Sequence, residues 1–153
     1  MDTKMIDPVK DAAINVISTM AMINPEPGEA FLKAGKKATG DISGVIGLAG
    51  EKKGVIIISF STPAICKIVG AMLGMEYTTV DQDVSDAVGE LTNMISGDSR
   101  RRFNELGFVF EAGLPTVIKG AGHEIESVTS GPVLAIPFKV DGHSFEVEVS
   151  FDE

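Results

Sequence analysis

The sequence predicts an α/β domain of the α+β type, in which an antiparallel-rich sheet is covered by two long helices and one short helix. Three segments carry apolar residues every three to four positions, which is the period of a helix with one buried face. Between and after them lie short β-branched runs separated by tight-turn residues, a pattern typical of antiparallel hairpins. A chain of 153 residues fits a single domain over residues 1–153.

The first helix is predicted to begin with Asp7 as its N-cap and Pro8 at the first helical position, where the missing N–H costs no hydrogen bond. Asn24-Pro25 ends it, because a residue before proline is pushed out of the α region. The polar, mixed segment 25–37 predicts a loop that passes into a strand. The apolar residues of this helix recur at helical spacing: Val9, Ala12, Ala13, Val16, Met20 and Ile23.

A β-hairpin and a short helix follow. The apolar runs Val45–Leu48 and Val55–Phe60 flank the glycine-bounded turn Gly50–Gly54, as in an antiparallel hairpin. Ser61-Thr62-Pro63 predicts the capped start of the short helix, and Gly74 predicts its end.

A second long helix is predicted from Thr79 or Asp81 to Leu106. Its apolar stripe consists of Val84, Ala87, Val88, Leu91, Ile95 and Phe103. Asp98 and Arg102 fall at the angle of this stripe, so we expect the helix either to bend there or to run past the edge of the core.

The remainder of the chain is predicted to be β-rich. Its strand candidates are Phe108–Phe110, Thr116–Ile118, Pro132–Pro137 and Ser144–Phe151. Asp141-Gly142 is a strong tight-turn signal between the last two. Strict alternation along Phe145–Phe151 predicts that one face of this strand is buried and the other is wet.

Composition excludes several classes of protein. The chain is 44% hydrophobic and carries a net charge of −9, so a nucleic-acid backbone is not an expected partner. No apolar run approaches the roughly 18–20 residues needed to span a bilayer, and the first residues lack a signal-peptide pattern. A single cysteine, Cys66, suits a reducing compartment. We therefore expect a cytoplasmic protein that does not contact membranes.

Common catalytic and metal-binding motifs are also missing from the pattern. Gly54 is followed by Val55-Ile56 and not by Lys-Ser/Thr, so the glycine-rich hairpin is not a Walker A loop. His123 and His143 lack Cys or Glu at ligand spacing, and no metal site is expected. Cys66 in an apolar helix is interpreted as core filling.

Glu90 and Asn93 are the candidate functional pair. Standing three residues apart in the second long helix, they project from one face, opposite the apolar stripe. Asparagine is a poor helix-interior residue, and each flanking glycine, Gly89 and Gly97, costs about 1 kcal/mol relative to alanine. These choices bare the helix surface, as close approach of another molecule requires. The alternative is ordinary solvated surface.

The run Arg100-Arg101-Arg102 has two interpretations. Cations near a helix C-terminus complement the macrodipole, and this explanation is favoured for Arg102. Alternatively, Arg100 or Arg101 steers an acidic partner toward the Glu90 face. The sequence leaves both interpretations open for these two residues.

A weak internal repeat relates the two long helices. Residues 11–20 align without gaps on residues 86–95. In the first copy, Asn15 and Ser18 occupy the positions of the Glu/Asn pair. Only the second copy therefore carries the pair.

Taken in order, these motifs resemble the CheX family, within the CheC/CheX/FliY group of bacterial chemotaxis phosphatases. The family signature is Glu-x-x-Asn, here within Gly89–Met94 and followed by Gly97. The resemblance extends to the hairpin from Ile46 to Phe60, to Ala71–Tyr77 and to Pro115–Gly120.

The resemblance implies hydrolysis of the aspartyl-phosphate on a CheY-like receiver domain. In that scheme Glu90 pairs with the receiver's lysine and Asn93 orients the attacking water. Mg²⁺ belongs to the receiver, and no cofactor or metal is expected on this chain. The residues expected to contact the partner are Asp86, Gly89, Gly97, Arg100 and Arg101. Members with one motif tend to be homodimers joined through the sheet.

Two other functions use the same residues differently. A non-catalytic adaptor would bind phosphorylated receivers through the same helix without hydrolysing them. A sheet-mediated scaffold would leave Glu90 and Asn93 as plain surface. Binding and catalysis use one face, so sequence alone does not separate the phosphatase from the adaptor.

Overall fold

The computed structural model describes residues 3–35, 38–125 and 129–153. They form two layers, with the helices packed against one face of an antiparallel sheet, as predicted. The helices are α1 (Asp7–Ala21), α2 (Thr62–Leu73) and α3 (Gln82–Glu105). The strands are β1 (Glu26–Pro27), β2 (Phe31–Lys33), β3 (Ile42–Ala49), β4 (Gly54–Phe60), β5 (Glu111–Ala112), β6 (Thr116–Lys119), β7 (Val133–Val140) and β8 (His143–Phe151).

The sheet order is β1-β7-β8-β4-β3-β5, with β2 also pairing with β7 and β6 with β3. The predicted hairpins are therefore confirmed, and β8 and β4 join them into one sheet. No helix in the described part of the chain is long and apolar enough to cross a bilayer.

The start of α1 differs from the prediction. Asp7 is not the N-cap, because a 3-10 turn over Thr3–Ile6 precedes the helix and places Ile6 at the cap, without a side-chain capping bond. Asp7 instead lies in the first turn, where a carboxylate favours the helix macrodipole. At the other end, Met22 takes a left-handed conformation with φ of 55°. The helix therefore ends before Asn24-Pro25, and Met20 is exposed.

The ends of α2 and α3 agree with the sequence signals. The Ser61 hydroxyl accepts a hydrogen bond from the Ala64 N–H at 3.3 Å, and the Asp81 carboxylate accepts one from the Val84 N–H at 2.9 Å. Gly74 ends α2 with φ of 67°. Gly107, with φ of 93°, follows the C-cap residue Leu106 of α3.

The predicted strand over Phe108–Phe110 is wrong. The Phe108 N–H donates to the Phe103 carbonyl at 3.0 Å, within the hydrogen-bonding pattern that closes α3. Pairing starts only at Glu111. Phe110 serves the core instead, since its ring packs against those of Phe103 and Phe151.

The predicted wet face of β8 is also wrong, because Glu146 and Glu148 are only 5% and 6% exposed. β8 lies in the interior of the sheet, and Lys33 of β2 reaches over it. The Lys33 Nζ lies 3.3 Å from Glu146 Oε1 and 2.9 Å from Glu148 Oε1. Burial raises the pKa of Glu148, although Lys33 opposes that rise. Alternation marked the two faces correctly but did not show what covers the second one.

One close contact seats α3 on the sheet. A Cβ at Gly44 of β3 would overlap the side chain of Thr92. The Thr92 hydroxyl is buried and donates to the Val88 carbonyl at 2.7 Å. Glycine at position 44 thus lets the middle of α3 approach β3 closely, which holds the outer side of the helix in a defined position.

Candidate functional site

The long helix α3 separates an apolar side from a polar side, as its spacing predicts. Five of its six stripe residues are fully buried: Val84, Val88, Leu91, Ile95 and Phe103. The sixth, Ala87, is half-buried against the core. On the other side lie Asp86, Gly89, Glu90, Asn93, Gly97 and Arg100, which we call the open face of α3.

Glu90 and Asn93 are exposed on this open face, one helical turn apart. Neither makes a hydrogen bond or an ion pair with any residue that the structure describes. The Glu90 carboxylate can therefore pair with an incoming cation, and the Asn93 carboxamide offers both a donor and an acceptor to an incoming molecule.

The packing of the protein itself does not explain the two glycines beside this pair. A Cβ on Gly89 would lie 3.6 Å from Val117 Cγ2, an ordinary van der Waals distance. A Cβ on Gly97 would lie 3.8 Å from Arg100 Nη2, also without a clash. Because the fold has room for alanine at both positions, the helix-propensity cost of these glycines is not required by internal packing.

Asp86 begins the open face one turn before Glu90. Its carboxylate is exposed and accepts a hydrogen bond from Gln82 Nε2 at 2.8 Å. This contact within the helix leaves the second carboxylate oxygen of Asp86 accessible.

The three consecutive arginines 100–102 differ in their contacts with Asp98. The Asp98 carboxylate accepts hydrogen bonds from two of the three. Arg101 donates to Asp98 Oδ1 from Nε at 3.1 Å and from Nη2 at 2.7 Å, and its Nη1 lies 3.2 Å from Glu105. Arg102 donates to Asp98 Oδ2 from Nε at 3.2 Å. Arg100 makes no hydrogen bond or ion pair with a described residue.

Asp98 also receives a hydrogen bond from α1, where Asn15 Nδ2 donates to Asp98 Oδ2 at 3.1 Å. Partial burial pushes the pKa of Asp98 upward, but the hydrogen bonds from Arg101, Asn15 and Arg102 outweigh it and lower the pKa. Asp98 and Arg102 interrupt the apolar stripe because they form this polar link beside α1. The role of Asn15 is not evident from the sequence, although the repeat aligns Asn15 with Glu90.

The remaining candidate chemistry is structural. His123 Nδ1 lies 2.6 Å from the Gly120 carbonyl, which can only accept, so Nδ1 carries a proton, and Nε2 makes a hydrogen bond with the Ser43 hydroxyl at 2.7 Å. Ser43 is fully buried and out of reach of a substrate. Burial raises the pKa of the Cys66 thiol, which agrees with a core role. Among the described residues, no group of three or more His, Cys, Asp or Glu side chains could hold a metal ion.

The open face of α3 does not line the cavities next to the Phe151 end of the sheet, beside β3 and beside α2. An apolar cavity of about 420 Å³ lies beyond the far end of α3, lined by Phe108, Val109 and Phe151 among others. The rise from Asn93 to the end of the helix at Glu105 is about 18 Å. Small substrates bind in concave sites, so an exposed helix face suits a macromolecular partner better.

Comparison with known proteins places the chain among chemotaxis proteins. A family model described as chemotaxis phosphatase CheX matches residues 42–139. The CheY-P phosphatase CheX of Thermotoga maritima is 30% identical over 141 residues, covering 92% of this chain and 90% of the relative.

Solved structures agree. CheX from Desulfovibrio desulfuricans is 44% identical with a TM-score of 0.90, over 97% of this chain and 99% of that one. A chain in the CheX–CheY–BeF3–Mg²⁺ complex from Borrelia burgdorferi is 29% identical with a TM-score of 0.83, over 99% and 100% of the two chains.

Proposed function

The chain belongs to the CheX family of chemotaxis phosphatases, and we propose that it hydrolyses the aspartyl-phosphate of a CheY-like receiver domain through the open face of α3. The observation that carries this proposal is that the side chains of Glu90 and Asn93 are not engaged by any described residue. Both are exposed, both are unengaged by described residues, and both stand on a helix surface kept bare by glycine. The Thermotoga relative is a CheY-P phosphatase, and the Borrelia relative is in complex with CheY.

The reaction needs little covalent chemistry from this chain. Water attacks phosphorus, the bond between phosphorus and the aspartate oxygen breaks, and the products are inorganic phosphate and the free aspartate carboxylate. Mg²⁺ held by the receiver neutralises charge on the phosphoryl oxygens. The second protein then has to hold a water molecule in line with the bond that breaks.

Asn93 is proposed to hold that water. Its carboxamide oxygen accepts a hydrogen bond from one O–H of the water and so directs the lone pair of the water oxygen toward phosphorus. An amide is too weak a base to take the proton, so its contribution is orientation.

Glu90 is proposed to pair with a lysine of the receiver and thereby set the docking register. Since Glu90 lies one turn from Asn93 on the same face, an ion pair at Glu90 fixes where the carboxamide enters the receiver's site. Asp86, Gly89 and Gly97 lie along the same face and are proposed to contact the receiver.

The experiment follows loss of label from a radiolabelled phospho-receiver, together with binding to the same receiver. Asn93→Ala is expected to abolish most of the acceleration while retaining binding, whereas Glu90→Ala is expected to weaken both. Asn104→Ala and Glu29→Ala make the same chemical changes at exposed positions away from the pair and serve as controls. If wild-type protein binds the phospho-receiver without accelerating hydrolysis, the adaptor replaces the phosphatase; if it does neither, the scaffold does.

We also propose a homodimer joined through the sheet. The helices lie on one side of the sheet, and short strands form both edges, β5 and β6 at one and β1 and β2 at the other. Light scattering coupled to size-exclusion chromatography gives the mass in solution, and a monomeric mass would overturn this proposal.

A further inference from the structure

Three consecutive arginines lie near the end of α3, and the first of them, Arg100, belongs to the open face. The three differ in how many of their N–H donors are hydrogen-bonded. Arg101 and Arg102 both donate to Asp98. Arg100 has no acceptor among the described residues, and its Nε is buried without a hydrogen-bond partner. Of this run, Arg100 therefore has terminal Nη donors that no described residue engages, and these donors, unlike the buried Nε, remain for an anion outside the chain.

The guanidinium of Arg100 lies back along the helix toward Asn93. Its Nη2 is 3.8 Å from the place that a Cβ on Gly97 would occupy. This agrees with the general tilt of helical side chains toward the N-terminus. Asn93, Gly97 and Arg100 follow one another at spacings of four and three residues and so share a face. Because Gly97 has no side chain, the helix surface beside the guanidinium is left open to an incoming molecule.

We propose that Arg100 binds an oxyanion of the docked receiver, specifically a carboxylate beside the phosphorylated residue, and that Gly97 makes room for this contact. The inference rests on the proposed function, because it assumes that Asn93 faces the phosphoryl group. A guanidinium presents paired N–H donors that match a carboxylate or a phosphoryl group.

Distance favours the carboxylate over the phosphoryl group. Gly97, over which the guanidinium lies, is about 6 Å farther along the helix axis than Asn93. A phosphorus atom opposite Asn93 is therefore displaced along the helix from the Arg100 donors, so a carboxylate beside the phosphorylated residue suits these donors better than the phosphoryl group itself does. Because the chain carries a net charge of −9, a cation at this face also offsets repulsion of an acidic partner.

The test separates binding from turnover in steady-state dephosphorylation of a phospho-receiver. Arg100→Gln is expected to raise KM about tenfold and to leave kcat within about twofold, since a charged contact outside the reacting atoms contributes to docking. Arg100→Lys keeps the charge without the paired donors and is expected to recover part of the loss. The KM of Arg100→Gln is also expected to rise less with salt than that of wild type.

Two further variants control for charge and for position. Lys67 lies on α2 and pairs with Asp141. Lys67→Gln removes this one cation and therefore controls for net charge. Arg101→Gln tests the neighbouring arginine, which Asp98 and Glu105 engage. A KM for Arg101→Gln as high as that of Arg100→Gln overturns the assignment to Arg100. Gly97→Leu fills the space under the guanidinium and is expected to raise KM as Arg100→Gln does, with thermal melting confirming that each variant folds.

The source of the oxyanion is decided by binding to two states of the receiver. Equal losses of affinity for the unphosphorylated receiver and for the BeF3–Mg²⁺ receiver support a carboxylate. A loss confined to the BeF3–Mg²⁺ receiver assigns the contact to the phosphoryl group and overturns the carboxylate. If wild type fails to accelerate hydrolysis, the proposed function fails; if wild type does accelerate it and Arg100→Gln behaves like wild type in every assay, only the Arg100 inference fails.

Discussion

The helices α1 and α3 carry the two copies of the repeated segment, and the structure uses the matching positions in opposite ways. In α1, Asn15 donates to Asp98 and the Ser18 hydroxyl donates to the Asn15 carbonyl at 3.1 Å. In α3, Glu90 and Asn93 have no partner among the described residues. Both pairs stand on helix surfaces, so the difference lies in what the neighbouring helix offers them.

Helix length explains the asymmetry. Asp98 lies three residues beyond the aligned segment, and the same offset on the first copy leads to Ile23. Because α1 ends at Ala21 and the matching position is isoleucine, the first copy supplies no side-chain donor at that position to engage Glu90. One copy thus becomes part of the scaffold, and the other is left open.

The largest effect on kcat is expected when matching positions of the two copies are substituted and compared. Asn93→Ala is predicted to lower kcat for dephosphorylation by on the order of 100-fold or more, as removal of one preorganised group does in other enzymes. Ser18→Ala, at the matching position of α1, is predicted to leave kcat within about twofold. Single-turnover loss of label measures both, and equal losses would show that the two copies are functionally equivalent.

The second-largest predicted effect concerns the close packing of α3 against the sheet. Gly44→Ala is predicted to destabilise the fold by about 1–3 kcal/mol, because the new methyl group meets Thr92. Urea unfolding measures the change. Thr92→Ala in the same chain is predicted to restore part of the stability, and a double variant no more stable than Gly44→Ala would contradict the close-contact explanation.

Asp98→Asn tests the link between the helices, with a predicted loss of about 1 kcal/mol at pH 7. The pKa of Asp98 is lowered in the folded state, so its contribution is present above the unfolded value of 3.8 and is lost as the pH falls through the folded value. The stability difference between wild type and Asp98→Asn should therefore shrink on acidification below pH 3.8. A difference that is constant from pH 7 to pH 2 would exclude this linkage.

The smallest effect on stability is expected for a substitution on the open face itself. Here the informative result is whether the substitution raises or lowers the stability of the fold. Gly89→Ala is predicted to stabilise the protein by up to about 1 kcal/mol, because the fold has room for the methyl group and alanine favours helix. The same variant is predicted to weaken receiver binding. Thermal melting and a binding titration measure the two effects, and a variant that gains stability without losing affinity would show that the glycine is not needed for close approach.

Much of the fold, and the positions of Glu90 and Asn93 in the site, can be predicted from the sequence because they depend on interactions between residues close together in the chain. Capping by Ser61 and Asp81 involves residues within three positions. The 3.6-residue period likewise put Glu90 and Asn93 opposite the buried stripe. The errors share a different cause: the N-cap at Asp7 was displaced by a preceding 3-10 turn, and the carboxylates on the predicted wet face of β8 are contacted by Lys33 from an edge strand of the same sheet.

The helices, the hairpins and the helical face of the single Glu/Asn pair follow from the amino-acid sequence, since each depends on residues close together along the chain. Which polar groups stay unengaged depends instead on how distant segments pack together. Asn15 meets Asp98 across 83 positions, and Lys33 reaches Glu148 from another strand. Such long-range contacts distinguish α3 from α1, because a side chain is available to a partner only when the rest of the fold leaves it unpaired. Arg101 differs from Arg100 through local contacts, since Asp98 and Glu105 lie three and four residues away from Arg101.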